Sequence, residues 1–123
     1  MEKGRYMEIG EVQERFAKII WEKAPISSGE LVSICDKEFG WKKSTTYTVL
    51  RRLCDRGLFA NENGTVTVLM SYEEYQGKMC EEVVDGFFDG SLPAFISAFA
   101  NSKKLTSEDV DDIQEMLKKF KGE

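Results

Sequence analysis

Residues 41–57 read WKKSTTYTVLRRLCDRG, and the interpretation of the whole chain starts from this stretch. Thr46, Val49, Leu50 and Leu53 recur at the spacing of one helix face, while five Lys or Arg residues stand against one Asp. The pattern predicts an amphipathic helix with one buried and one basic side. Gly57 is typical of the residue that ends such a helix.

The basic stretch lies in a chain that is acidic as a whole. The 123 residues include 17 Lys or Arg and 22 Asp or Glu, a net charge of −5. Residues 1–70 carry 11 basic and 10 acidic side chains, whereas residues 71–123 carry 6 and 12, which indicates two functional halves. Because phosphates are neutralised by local charge, the basic segment indicates a polyanionic partner, and double-stranded DNA is the leading candidate.

Composition argues against several other classes of protein. The chain has no His, and its three Cys residues lie far apart, so the common catalytic and metal-binding arrangements are not available. We therefore predict no enzymatic activity, no metal and no cofactor. There is no apolar run of about 20 residues and no apolar leader in the first eight residues, which predicts a cytoplasmic protein without membrane insertion.

Two helices are predicted before the basic stretch. Pro25 ends the first near Ala24, and Ser27 with Glu30 forms a capping box that opens the second, which ends near residues 39–40. Their predicted inner faces consist of Val12, Phe16, Ile19 and Ile20 in the first helix and Leu31, Ile34 and Cys35 in the second.

A hairpin is predicted after the basic helix. Residues 58–61 and 65–70 favour strands, and the residues between them place a turn near Asn63-Gly64. Three helices followed by a two-stranded wing make a winged helix-turn-helix. The predicted fold is mainly α with a small β-hairpin: a winged helix-turn-helix DNA-binding domain over residues 1–74 and a helical dimerisation region over residues 75–123.

The C-terminal region is predicted to be helical, with a break at residues 89–91 and a last helix opened by Thr106 with Asp109. Three short helices cannot bury their large apolar side chains alone, so a second copy of the chain is the simplest partner. The predicted dimerisation residues are Tyr75, Met79, Val83, Phe87, Leu92, Phe95, Ile96, Phe99, Ile113 and Leu117.

A helix-turn-helix inserts the start of its second helix into the major groove. Lys43 and Arg52 suit phosphate contact and Arg51 suits a bidentate pair with guanine. Tyr47 and Thr48 suit a thymine methyl group or a hydrogen bond to a base. The predicted DNA-binding residues are Lys42, Lys43, Ser44, Thr45, Tyr47, Thr48, Arg51 and Arg52.

Other interpretations stay open at this point. The basic helix is alternatively a solvated face on which Tyr47 only covers its neighbours. The acidic C-terminal half and a wing tip with Glu62 but no basic residue motivate a protein-interaction module that binds an acidic protein partner. Redox sensing by Cys54 is a further hypothesis, because neighbouring Arg side chains would favour its thiolate.

Four collinear stretches carry a resemblance to a known family. They are IIWEKAP (19–25) with GEL (29–31), then residues 41–57, then YEEY (72–75), and finally DGSL (89–92) followed by KLT (104–106). On these residues the chain resembles the penicillinase-repressor family (BlaI, MecI and CopY) of winged-helix transcriptional regulators. The resemblance implies a homodimer that represses transcription from a two-fold symmetric operator and dimerises through its C-terminal helices.

The resemblance also implies, for the antibiotic-resistance branch, cleavage by a membrane sensor protease, and the matching bond here joins Ala98 and Phe99. This chain has Ala98 where those repressors typically have Asn. It ends in KFKGE rather than in the clustered cysteines of the copper-responsive branch. Lys42-Lys43 replaces the Ser-Pro of many relatives, and the wing lacks their Arg residues, so a different operator sequence is expected.

Overall fold

The computed structural model describes residues 10–123, which form six helices and three short strands. In chain order they are α1 (Glu11–Lys23), β1 (Ile26–Ser27), α2 (Ser28–Phe39), α3 (Lys43–Asp55), β2 (Phe59–Glu62), β3 (Thr65–Val68), α4 (Tyr72–Phe87), α5 (Leu92–Ser102) and α6 (Ser107–Phe120). The predicted fold class, a winged helix followed by C-terminal helices, is confirmed.

Local capping sets the helix boundaries. The hydroxyl of Ser27 accepts a hydrogen bond from the backbone N–H of Glu30 at 3.1 Å, which confirms Ser27 as the N-cap of α2 and is one of the two bonds of the predicted capping box. Gly40 ends that helix in the left-handed conformation, with φ of 67°. Beyond α3, Gly57 has φ of 85° and donates to the Cys54 carbonyl oxygen at 2.9 Å, which confirms its predicted place at the helix end.

The wing is an antiparallel hairpin with a two-residue turn. Asn63 and Gly64 both have positive φ, 53° and 80°, as a type I′ turn requires. Glu62 pairs with Thr65 across this turn. The sheet has a third strand that the sequence did not predict, because β1 contains only two residues and cannot show a period: its Ile26 pairs with Val66 of β3.

A single hydrophobic core joins α1, α2, α3 and the wing. Its largest fully buried side chains include Phe16, Ile20, Leu31, Leu50, Leu53, Leu58, Phe59, Val66 and Tyr75. Val12, predicted for the inner face of α1, is 44% exposed and does not belong to this core. The core supports one side of α3 and leaves the other side in solvent.

Helix α4 begins as part of that core. The Trp21 indole N–H donates to the Met70 carbonyl oxygen at 2.9 Å, and its ring centroid lies 5.1 Å from that of Tyr72. Tyr75 is only 1% exposed. The predicted domain boundary between residues 74 and 75 therefore falls inside the first turn of α4. The prediction of Tyr75 as a dimerisation residue is corrected, because its side chain is already enclosed by its own chain, and Met79 from the same predicted set is half-buried against the same core.

The remaining C-terminal helices leave much apolar surface uncovered, and neither α5 nor α6 contains a buried residue. We call α4 after Tyr75, together with α5 and α6, the arm. Its exposed large apolar side chains are Phe87, Leu92, Ile96, Phe99, Val110, Met116, Leu117 and Phe120. Phe95 and Ile113, by contrast, are half-buried against an open apolar groove between α5 and α6.

Within residues 10–123, membrane-spanning length and apolarity are not combined in any one helix. Helices α4 and α5 reach that length and apolarity only when taken together, and their axes are bent by 92° relative to each other.

Candidate nucleic-acid interface

The solvent side of α3 carries nearly all of the predicted DNA-binding residues. Thr46, Val49, Leu50 and Leu53 are buried beneath the helix. The exposed side chains, which we call the reading face, are Lys42, Lys43, Ser44, Thr45, Thr48, Arg51 and Arg52. The predicted amphipathic division of α3 thus brings four cations and three hydroxyls to one surface.

The start of α3 is suited to an anion. Lys42 is its N-cap residue and offers no side-chain acceptor, whereas Ser27, Ser71, Ser91 and Thr106 each cap their helices with a hydroxyl. The first backbone N–H groups of α3 are therefore left for another acceptor. The positive end of the helix dipole and the adjacent lysines favour a phosphate oxygen at this position.

The hydroxyl of Thr48 is already engaged within the helix. It donates to the Ser44 carbonyl oxygen at 2.9 Å. Its oxygen lone pairs and its methyl group remain at the surface. The position of Thr48 leaves room for either predicted contact, a hydrogen bond to a base or an apolar contact with a thymine methyl group, and both stay predictions.

Tyr47 differs from the other predicted contacts because it turns inward. Its side chain is half-buried, and its hydroxyl donates to the Ser28 hydroxyl oxygen at 3.0 Å. Lys43 Nζ lies 6.0 Å from the centroid of the ring. The predicted hydrogen bond from Tyr47 to a base is replaced by a bond inside the protein. The sequence offered no signal for Ser28, because its partner is 19 positions away.

Acidic groups limit the positive surface. Asp55 lies three helical turns after Ser44 on the same side of α3, and it is exposed. In the wing, Glu62 is the one charged residue between positions 59 and 68, and it is exposed as well. The positive potential for a polyanion therefore comes from the first half and middle of α3 rather than from the wing.

Cys54 borders a small cleft between α3 and β2, together with Tyr47, Arg51 and Asn61. Burial raises the pKa of its thiol, the Asp55 carboxylate raises it further, and a backbone hydrogen bond from Asn61 lowers it. The net effect favours the thiol over the thiolate at neutral pH. The hypothesis that neighbouring Arg residues favour a reactive thiolate is corrected, because desolvation dominates at this position.

The part of the chain that the structure describes contains no group of three or more His, Cys, Asp or Glu residues that could hold a metal ion. The Ala98–Phe99 bond lies in the middle of α5, and both side chains are exposed. Cleavage of this bond by a membrane sensor protease stays a prediction from the resemblance.

Comparison with known proteins covers almost the whole chain. Residues 9–119 match the family model described as penicillinase repressor. The chain is also 23% identical over 119 residues to the penicillinase repressor of Bacillus licheniformis, an alignment that spans 94% of this chain and 93% of that protein. The match therefore includes both the winged helix and the arm.

Proposed function

This chain belongs to the penicillinase repressor family, and we propose that it is a transcriptional repressor that binds double-stranded DNA as a homodimer on a two-fold symmetric operator. The reading face of α3 carries this proposal. It combines four exposed cations with an uncapped helix start, on the second helix of a helix-turn-helix and beside a wing. No enzymatic step and no cofactor are proposed.

The geometry supports a division of labour on the DNA. Lys42, Lys43 and the free N–H groups at the start of α3 suit phosphate oxygens, and such contacts position the protein without reading sequence. Arg51, in the middle of the reading face, suits the O6 and N7 acceptors of guanine. Arg52 suits a phosphate of the same groove wall. The methyl group of Thr48, which is also exposed on the reading face, suits contact with a thymine methyl group.

The arm supports the proposed dimer. Phe99 is 45% exposed and Leu117 is 46% exposed, and both line the apolar groove between α5 and α6. Soluble monomers rarely keep large contiguous apolar patches in water. A second arm, related to the first by a two-fold axis, would pack against it and cover these side chains with the same surface of the second chain. We propose that the arm, and not the winged helix, supplies the dimer contact.

A dimer of this kind sets a spacing on the DNA. Two copies of α3 can enter successive major grooves on one side of the duplex only if the half-sites lie about one helical turn, roughly 34–36 Å, or a multiple apart. The operator is therefore expected to be an inverted repeat with that spacing.

The test is an electrophoretic mobility shift of the full chain with duplex DNA from upstream of its own gene, against shuffled duplex of equal length. We expect preferential retention of the upstream duplex. If Lys42, Lys43 and Arg52 of both protomers contact phosphates, the slope of log K against log salt concentration approaches about −5. Equal retention of both duplexes would contradict sequence-specific repression.

The alternative function, a winged-helix module that binds an acidic protein, is motivated by the exposed Glu62 on a wing without basic residues. The same experiment separates the two. A chain that retains neither duplex at low salt, yet co-purifies with an acidic protein through Arg51 and Arg52, would be such a module.

A further inference from the structure

Three parts of the winged helix meet at Ser28, the first residue of α2. Its backbone N–H donates to the Gly64 carbonyl oxygen in the wing turn at 2.8 Å. Its hydroxyl oxygen accepts the hydrogen bond from Tyr47 of α3 at 3.0 Å. The side chain is nearly buried, with 9% of its surface exposed. One small residue thus joins the start of α2, the wing and the helix that carries the reading face.

The wing turn packs closely on this hydroxyl. A Cβ atom placed on Gly64 would lie 3.8 Å from Ser28 Oγ, within ordinary van der Waals contact. The turn, the hydroxyl and the Tyr47 ring are therefore adjacent. Because Ser28 bonds to both Tyr47 and Gly64, a change in the orientation of Tyr47 would alter the packing of the wing turn.

Tyr47 adds a polar contact to the buried side of α3, formed by Thr46, Val49, Leu50 and Leu53, and together these contacts fix the rotation of the helix about its own axis. Ser44 lies three positions before Tyr47, Thr48 one position after it and Arg51 four positions after it on the same hydrogen-bonded helix, so a rotation of α3 moves all of them together. At a helix radius of about 5–6 Å, a rotation of about 20° displaces these side chains by about 2 Å. A bidentate contact to a base edge does not survive such a shift, because hydrogen bonds require distances near 3 Å.

We infer that Ser28 is a positioning residue for the reading of DNA sequence, an inference that rests on the proposed function. Its hydroxyl holds Tyr47, and this bond, added to the buried packing of α3, sets the fine rotation that aims Arg51 and Thr48 at the bases. Phosphate contacts are less sensitive to this rotation, because Lys and Arg side chains are long and flexible and phosphates recur along the whole groove. Loss of the bond therefore lowers discrimination between sequences more than it lowers affinity for DNA in general.

The test compares Ser28→Ala, Tyr47→Phe and the double variant, each as the full-length chain. Ser28→Ala leaves the backbone bond to Gly64 in place, and Tyr47→Phe leaves the ring in place. Tyr72→Phe, which removes a hydroxyl from a half-buried tyrosine of α4, is the matched control. The probes are a duplex enriched from a random-sequence pool by the wild-type protein and a shuffled duplex of the same composition.

We expect each single variant to lower the ratio of the affinities for the enriched and shuffled duplexes by about three- to tenfold, the size of one hydrogen bond's net effect. The double variant should lose no more than a single variant, since both remove the same bond. Affinity for the shuffled duplex, its dependence on salt, and the behaviour of Tyr72→Phe should stay at wild-type values.

Other outcomes overturn the inference. A loss confined to Tyr47→Phe would show that its hydroxyl contacts a base directly. An equal loss on both duplexes, accompanied by a lower unfolding temperature, would reduce Ser28 to a stabilising role, and an unchanged ratio would remove any role in reading. If wild-type protein retains no duplex at low salt, the proposed function fails and this inference fails with it. If the wild-type protein binds DNA and the variants keep the wild-type ratio of affinities, the inference about Ser28 is wrong while the proposed function stands.

Discussion

The indole ring of Trp21 on α1 lies 5.2 Å, centroid to centroid, from the phenol ring of Tyr75 on α4. Phe59 of β2 lies 5.3 Å from the same indole. The winged helix and the first two turns of α4 are therefore one packed unit, from which the rest of α4 continues as the same helix. In the proposed dimer, the docking of α4 on the winged helix would fix the position of each reading face relative to the arm.

Trp21→Ala should lower the free energy of unfolding by about 3 kcal/mol, because it removes a large aromatic side chain between three rings and the bond to Met70. Urea denaturation followed by circular dichroism measures this change. Phe120→Ala is the control, since Phe120 is 83% exposed, and its loss should leave the stability of the monomer nearly unchanged. A Trp21→Ala protein as stable as the control would contradict the conclusion that Trp21 holds α4 against the winged helix.

Replacement of both Arg51 and Arg52 by Ala should weaken DNA binding by at least about tenfold at moderate salt, because two cations leave the reading face. The slope of log K against log salt should become less negative by about 0.9 for each lost phosphate contact per protomer. Lys103→Ala with Lys104→Ala removes the same charge between α5 and α6, and serves as the control in a fluorescence anisotropy titration. Equal effects of the two double variants would mean that only net charge matters.

Leu117→Asp should convert the proposed dimer to monomers, since a carboxylate in the apolar groove of the arm would be buried without a partner. Sedimentation velocity at micromolar concentration measures the mass. Leu69→Asp changes an apolar side chain that is 62% exposed on the winged helix, outside the arm, and should leave the dimer intact. Wild-type protein that sediments as a monomer would contradict the arm as a dimer contact.

Stability should fall at alkaline pH because of Cys35. Burial raises the pKa of its thiol from 9.0 to about 11, although a hydrogen bond with Thr46 opposes the shift. The unfolded chain thus loses this proton at lower pH than the folded chain. The stabilisation is complete below pH 9 and is lost as the pH rises toward 11.

Cys35→Ala should therefore flatten the dependence of unfolding free energy on pH between 9 and 11 by about 1.4 kcal/mol per pH unit. Urea denaturation at several pH values measures the slope. The variant is expected to be less stable at pH 7 because of the space it leaves in the core, but the change in slope is independent of that loss. Parallel profiles for the two proteins would contradict the assignment to Cys35.

Local patterns were enough to predict most of the architecture. Ser27, Gly40 and Gly57 mark helix ends through hydrogen bonds and backbone angles that involve only neighbouring residues. Asn63-Gly64 specified the wing turn in the same way, through the positive φ of both residues. The period of Thr46, Val49 and Leu53 identified the buried side of α3, and with it the exposed side on which the cations lie.

Contacts between distant positions followed from the tertiary structure alone. The pairing of β1 with β3, the bond from Tyr47 to Ser28 and the enclosure of Tyr75 by Trp21 each join segments that no local period relates. The raised pKa of the Cys54 thiol likewise depends on burial. The sequence shows only the adjacent Arg residues, which would lower that pKa, and does not show the burial. The sequence by itself therefore determined the helices, the wing turn and the basic side of α3, because these depend on interactions within a few residues. Packing decided which side chains remain available to DNA or to a second chain, because burial depends on everything that folds against them.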